Sequence, residues 1–254
     1  MKLSILTLFP QIIESFISES IIKRAQQKKL VEFKLFDLRN FAHDKYKTVD
    51  DHPFGGGAGM LLKIEPLVEA IEHIEKVEGK AHKILLTPKG KTLTQQKAIK
   101  IVQLFNCSIV EKKQFNNLAI PNNLAINHIL LICGHYEGFD ARIENFIDEE
   151  LSIGNYVMSS GEAAAIVVID TVVRLIPGVL KKEEATRSES FQSVNGEELL
   201  EYPQYTLPRD FRGLSVPEVL LSGDHKKIVE WKLQKAREET KKKNPFLPPL
   251  LGED

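Results

Sequence analysis

The apolar run over residues 2–9 predicts a buried strand at the start of the chain. From Pro10, Ile12, Ile13, Phe16, Ile17, Ile21 and Ile22 recur at helical spacing and predict one helix to about Gln27. Val31, Phe33 and Leu35 alternate with Glu32 and Lys34, the period of a strand. Pro66 sits near the first turn of the next predicted helix, whose Leu67, Val68, Ile71 and Ile74 share one face. Further strands are predicted over 84–87, stopped by Pro88, over 129–133, stopped by Gly134, and over 151–153, with helices over 94–105 and 139–147. The most apolar segment runs from Ala163 through Ile169, Val172, Val173, Leu175 and Ile176. A helix apolar on nearly every side is a buried one. This one carries Asp170 and Arg174 and is too short to cross a membrane.

Strands alternating with helices indicate an α/β fold with a parallel sheet. The alternation ends after Pro177-Gly178. We therefore expect an α/β domain over 1–180, a charged mobile linker over 181–190, and a small helical domain over 191–254. The connection between the helix ending near Phe105 and the strand at Ile129 far exceeds the usual roughly two to six residues. It contains a near-duplicate, Asn116-Asn-Leu-Ala-Ile120 and Asn122-Asn-Leu-Ala-Ile126. Residues 107–127 thus read as a surface insertion without a role in chemistry.

Composition adds bounds. The 254 residues are 43% hydrophobic, enough for a sizeable core, and the net charge of −1 gives no bulk attraction to nucleic acid or a membrane surface. Charge is local instead. Residues 80–100 hold six lysines and no acid, and 225–243 hold eight Lys/Arg against three Glu. Such segments suit an anion or a solvated helix face equally. Cys107 and Cys133 form no CxxC pair and no secretory leader is visible, so we expect a reduced, cytoplasmic protein without structural zinc.

Several segments could carry chemistry. Gly55-Gly-Gly-Ala-Gly59 could cradle an anion on its N–H groups, or be a flexible loop. It lacks the Gly-Lys-Ser/Thr of a P-loop and the preceding strand of a dinucleotide site. Asp50, Asp51 and His52 are adjacent and so poorly placed to converge on a metal. Cys133-Gly-His-Tyr-Glu-Gly138 follows a strand, as do Leu86-Thr-Pro-Lys-Gly90 and Ile153-Gly-Asn-Tyr-Val-Met158. In open α/β sheets the carboxyl ends of strands are where ligands bind, so these three loops make a candidate crevice. Asp170 and Arg174, four apart, could form an ion pair, or leave the guanidinium to hold an electron-rich oxygen.

Taken together, Leu8-Phe-Pro10, residues 48–60, Cys133–Gly138, residues 147–158, Ile169-Asp170 through Arg174 to Leu180, Tyr202-Pro-Gln-Tyr-Thr206 and residues 216–225 resemble the bacterial tRNA (guanine-N1)-methyltransferases, in order along nearly the whole chain. The resemblance implies a SPOUT fold, a parallel-sheet domain tied in a trefoil knot, working as a homodimer with shared active sites. S-adenosylmethionine would be held by Leu86, Thr87, Pro88, Gly134, Tyr136, Gly138, Ile153, Gly154, Asn155, Tyr156, Val157, Met158 and Gly161. The partner would be a tRNA with guanosine 3′ of the anticodon, gripped by the second domain and met by Asp50, Gly55, Gly57 and Gly59. Magnesium would be a candidate co-requirement.

The implied chemistry suits these residue types. N1 of neutral guanine carries a proton and is a poor nucleophile, so a carboxylate must remove it. Charge then builds on the guanine oxygen, where a positioned guanidinium stabilises it. By resemblance Arg174 takes that role, Glu137 holds the guanine edge, and the linker carboxylate is the base. The sequence departs from the family pattern twice. Glu189 stands where the family has Asp, and a carboxylate displaced by about 1 Å can cost a hundredfold in rate. Glu184 and Glu201 are the alternative bases. Ser160 stands where Gly is usual, which requires its backbone to avoid positive φ or to accept strain. A related knotted methyltransferase acting on another RNA, and a dimeric RNA-binding protein without activity, are the competing readings.

Overall fold

The computed structural model describes residues 1–105, 128–180, 189–194 and 197–243. The expected insertion over 107–127 and most of the 181–190 linker lie outside the described residues. The chain divides into two units, Met1–Lys181 and Lys182–Asp254.

The first unit is built on five parallel strands, β1 (Lys2–Thr7), β2 (Glu32–Asp37), β5 (His82–Thr92), β6 (His128–Cys133) and β7 (Glu149–Ser152), in the order β2-β1-β6-β5-β7. A two-residue pair, β3 (Asp50–Asp51) with β4 (Leu61–Leu62), stands apart. Both faces of the central strands are buried, so alternate residues enter two different cores. Leu3, Ile5, Ile84, Leu86, Ile129 and Leu131 face α1 (Pro10–Ile17), α2 (Ser20–Gln27), α4 (Gln95–Phe105) and α5 (Gly161–Val173). Leu6, Leu85, Leu130 and Ile132 face α3 (Ile64–Glu78), where Leu67, Ala70, Ile71 and Ile74 are buried at helical spacing.

Four expectations change on the structure. The helix over 10–27 is two helices broken at Ser18–Glu19, and the bend lets Ile13 and Ile17 of α1 and Ile22 and Ala25 of α2 enter one core. The strand expected to stop at Pro88 resumes pairing with β7 at Lys91 after a register shift. Pro88 lies in the looped-out part, where its missing N–H breaks no ladder bond. The segment over 139–147 is a short 3₁₀ turn, Ala141–Phe146, started by Asp140, whose carboxylate accepts from Arg142 N at 2.9 Å. Finally, α5 is not buried all round: Ala163, Val167 and Asp170 form an exposed stripe at helical spacing, Val167 being 41% exposed.

The second unit is mixed rather than purely helical. Two short antiparallel pairs, β8 (Gln192–Val194) with β9 (Glu197–Leu199) and β10 (Asp210–Phe211) with β11 (Leu214–Ser215), precede α6 (Glu218–Leu221) and α7 (His225–Lys243). The turn residues between such short strands gave no strand-period signal in the sequence. Among the described residues no helix is long and apolar enough to cross a membrane.

Candidate active site

Loops leaving the ends of β6 and β7, with the looped-out part of β5, enclose a cavity of about 540 Å³, within the roughly 300–1,000 Å³ of small-molecule sites. Leu86, Thr87 and Pro88 line it from β5, Gly134, Tyr136, Glu137 and Gly138 from the loop after β6, and Ile153, Gly154, Tyr156, Val157, Met158 and Gly161 from the segment joining β7 to α5. Asn155 lies in that last loop, exposed, and is not part of the cavity wall. His135, Phe139, Ser152, Ser160 and Ala164 complete much of the wall. Of these the sequence marked only Ser160, because spacing along a strand-end loop does not tell which side chains turn inward.

The wall is held by close backbone contacts. Gly161 N donates to Gly134 O at 2.7 Å. A Cβ at Gly161 would lie 2.5 Å from Gly134 N and 2.9 Å from the Cys133 Cα, so only glycine permits this approach. Ser160, the residue before it, has φ −154° and ψ 150°, ordinary extended backbone, so serine there carries none of the feared strain. Strain sits at Tyr136 instead, whose φ is +57°. A bulky residue in the left-handed region costs about 1–3 kcal/mol and is concentrated at functional sites. The ring of Tyr136 meets the edge of His135 at 5.0 Å, and His135 in turn packs on Phe9 at 5.2 Å. At the end of β7, the Ser152 hydroxyl donates to Gly154 O at 3.0 Å and accepts from Gly154 N at 3.2 Å.

The glycine-rich loop joins this wall. The loop connects β3 to β4, with Asp50 opposite Leu62, and because β3 ends at Asp51 no strand immediately precedes Gly55. Glu137 N donates to Met60 O at 3.0 Å, Leu62 N to Gly138 O at 2.9 Å and Asp140 N to Leu62 O at 3.0 Å. Gly59, at φ +85°, lies under the Glu137 side chain, where a Cβ would be 2.8 Å from Glu137 Oε1. Gly55 and Gly57 also have positive φ, and Phe54 between the hairpin and these glycines is fully exposed. The Asp51 carboxylate accepts from the neighbouring His52 N at 2.7 Å. Among the described residues no group of three or more His, Cys, Asp or Glu is placed to hold a metal ion.

Of the other two expected catalytic residues, one ends α5 and one belongs to the second unit. Arg174 is half-buried at the end of α5, its N–H donating to Asp170 O at 3.3 Å. The helix has 13 residues, which puts Arg174 roughly 20 Å along its axis from the cavity wall at Gly161. Glu189 belongs to the second unit, in the bend before β8. There Ser190 Oγ accepts from Glu201 N at 3.0 Å, and Phe191 N donates to Leu199 O at 2.8 Å. Cys133 is no candidate nucleophile: burial, and then the negative charge of Glu162, push its thiol well above the usual range.

These features define an α/β protein whose parallel strands present a ligand-sized crevice at their carboxyl ends, with a glycine-rich hairpin loop bonded to its rim. Residues 1–111 and 108–249 match the family model of the tRNA (Guanine-1)-methyltransferase TrmD. The chain is 45% identical over 256 residues to the tRNA (guanine-N(1)-)-methyltransferase of Geobacillus kaustophilus, covering 100% of this chain and 92% of that protein. It is 46% identical over 249 residues to the protein of the same description from Ruminiclostridium cellulolyticum, covering 97% and 96%. For that of Clostridioides difficile the identity is 44% over 246 residues, covering 96% and 95%. The chain belongs to the tRNA (guanine-N1)-methyltransferase family.

Proposed function

We propose that this protein transfers a methyl group from S-adenosylmethionine to N1 of guanine in tRNA, at the guanosine 3′ of the anticodon. The observation that carries the reading is the crevice itself. In a chain of this family, three strand-end loops converge on one cavity whose wall combines apolar Leu86, Ile153 and Met158 with Gly134, Gly138 and Gly154, which present no side chain to it. Apolar surface suits an adenine ring, and glycines without side chains let a flat ligand lie close against the backbone, so the residues present fit S-adenosylmethionine. When bound, it supplies a methyl group on a positively charged sulphur.

The protein's own part is to position guanine, exclude water and move one proton. Glu137, at the rim between the cavity and Gly59, holds the guanine edge. Glu189 takes the N1 proton, and Arg174 stabilises the charge that then develops on the guanine oxygen. Arg174 lies too far along α5 to serve the cavity of its own chain, which supports a homodimer with shared active sites. The exposed stripe of Ala163 and Val167, with Ile12 of α1 45% exposed, supplies apolar surface for such a contact.

Close backbone crossings support the knotted topology. A Cβ at Gly90 would lie 2.6 Å from the Glu150 carbonyl carbon, and Gly161 crosses Gly134 as tightly. In the second unit, Lys232 Nζ lies 4.7 Å from the centre of the Tyr202 ring, Tyr205 packs on Trp231 at 6.4 Å, and the last turn of α7 carries Lys241, Lys242 and Lys243. Cations beside aromatic faces suit an RNA surface. A tRNA substrate supports a cytoplasmic location.

The test is methyl transfer from labelled S-adenosylmethionine to two tRNAs that differ only in guanosine or adenosine after the anticodon, with magnesium varied from zero. Transfer to the guanosine form alone is expected. No transfer at any magnesium concentration overturns the reading, and tRNA binding without turnover returns the protein to the non-catalytic alternative.

A further inference from the structure

Among the described residues Glu162 is the one buried carboxylate, 1% exposed at the start of α5, and the proposed chemistry does not use it. Its Oε1 accepts from the Thr7 hydroxyl at the end of β1, while Oε2 has no hydrogen-bond partner among the described residues. A buried carboxylate with so few partners is costly, and a well-packed apolar residue would serve stability better. Its position suggests what it serves instead. Glu162 directly follows Gly161, whose N–H is bonded to Gly134 O, and both glycines line the cavity. Thr7 ends β1, the strand paired with β6, from which the Gly134 loop departs. The Thr7 hydroxyl also accepts from Phe9 N at 2.9 Å, and the Phe9 ring packs on His135 of that same loop. One buried hydrogen bond thus ties the first turn of α5 to β1, and through Phe9 to the loop whose Gly134 is bonded to Gly161.

We propose that Thr7 and Glu162 are a positioning pair that fixes the spacing of the Gly134 and Gly161 walls, and so the affinity for the cofactor, at the expense of stability. The inference rests on the reading that this cavity holds S-adenosylmethionine. The pair is tested by the dissociation constant for S-adenosylhomocysteine, by calorimetry, beside the thermal midpoint. Glu162→Leu is expected to hold or raise the midpoint while weakening binding about tenfold. Thr7→Val is expected to weaken binding at least about fivefold, and Thr7→Ser, which keeps the hydroxyl, to stay within about twofold of wild type. If Glu162→Leu does not fold, the Thr7 pair decides. Lower midpoints with unchanged affinity in Glu162→Leu and Thr7→Val would reduce the pair to structure and overturn the inference. Met158→Lys, which puts a charge into the cavity, separates the two ideas: unchanged affinity there sinks the cavity reading itself, whereas lost affinity there with none lost in Thr7→Val sinks only the positioning pair.

Discussion

Gly161→Ala is the sharpest single perturbation of the crevice. The added Cβ meets Gly134 N at 2.5 Å and the Cys133 Cα at 2.9 Å, where unstrained carbon contacts need about 3.5–4 Å. Both obstacles are backbone, so no rotamer can relieve the clash and α5 must move away from β6 by roughly 1 Å. Overpacking of this kind costs about 1–3 kcal/mol. Losing the 2.7 Å bond from Gly161 N to Gly134 O adds about 0.5–1.5 kcal/mol. Alanine's better helix propensity returns less than about 1 kcal/mol at the first helical position. The sum is about 0.5–4.5 kcal/mol, or, at about 3 °C per kcal/mol, a thermal midpoint lower by about 2–14 °C in a domain of this size. Because both glycines wall the cavity, affinity for S-adenosylhomocysteine should fall at least about tenfold, a loss of about 1.4 kcal/mol. The control is Gly79→Ala at the end of α3, where φ is +90° but no atom lies within 4 Å of the new Cβ. With ψ at 167°, a conformation open almost only to glycine, that variant should lose about 1–3 kcal/mol to backbone strain and none of its cofactor affinity. A Gly161→Ala protein within 2 °C of wild type, as a rough bound from the same scaling, and with full affinity would refute the close-packed wall.

Three further outcomes are expected. Gly59→Ala, which drives a Cβ into the Glu137 carboxylate, should cost tRNA turnover while leaving cofactor affinity intact, since the clash displaces the guanine-facing side chain and not the three cavity loops; equal losses in both would count against the separation. Glu189→Gln removes the proposed base but keeps its shape, so single-turnover methyl transfer should drop by about 10²–10⁴ with unchanged cofactor binding, and full activity would move the base to another carboxylate. His128 is buried between Gly79 O, which accepts from Nδ1 at 3.0 Å, and the Ser4 hydroxyl, 2.8 Å from Nε2. Burial holds its pKa below the ordinary 6.5, although the Gly79 carbonyl partly opposes this. The unfolded chain therefore takes up that proton first: stability is complete above about pH 6.5 and declines as the pH falls toward the depressed folded value. Urea midpoints between pH 7.5 and 5.5 (as rough bounds of the window) should show this slope in wild type and less of it in His128→Asn, and identical profiles would exclude His128 as its source.

Much of the site was legible because its signals are local. Strand-end loops are marked by a change of hydrophobic period followed by Gly or Pro, and twelve of the thirteen residues expected at the cofactor do line one cavity. Asn155 lies in the same loop but outside the cavity wall, a distinction that spacing along a loop does not carry. The break at Ser18 and the resumption of β5 after Gly90 were not legible, since each is decided by what lies across from it: a shared core in the first, β7 in the second. Composition likewise hid the exposed stripe of α5, because Ala163 and Val167 are as apolar as their buried neighbours.

The resemblance to the family supplied the roles of the carboxylates and the guanidinium and the departures at Ser160 and Glu189; by itself the sequence determined the alternation of strands and helices and the three strand-end loops that carry glycine or proline. Those follow from properties carried by each residue and its near neighbours. Only the tertiary structure decided that Ser160 is unstrained, that Gly59 lies under Glu137, that Glu162 is buried against Thr7, and that Arg174 is a helix length from the cavity of its own chain. Thr7 and Glu162 stand 155 residues apart, and nothing in either local pattern encodes the other. Such pairings exist only once the sheet order brings the first strand beside the sixth, so they depend on packing rather than on sequence period.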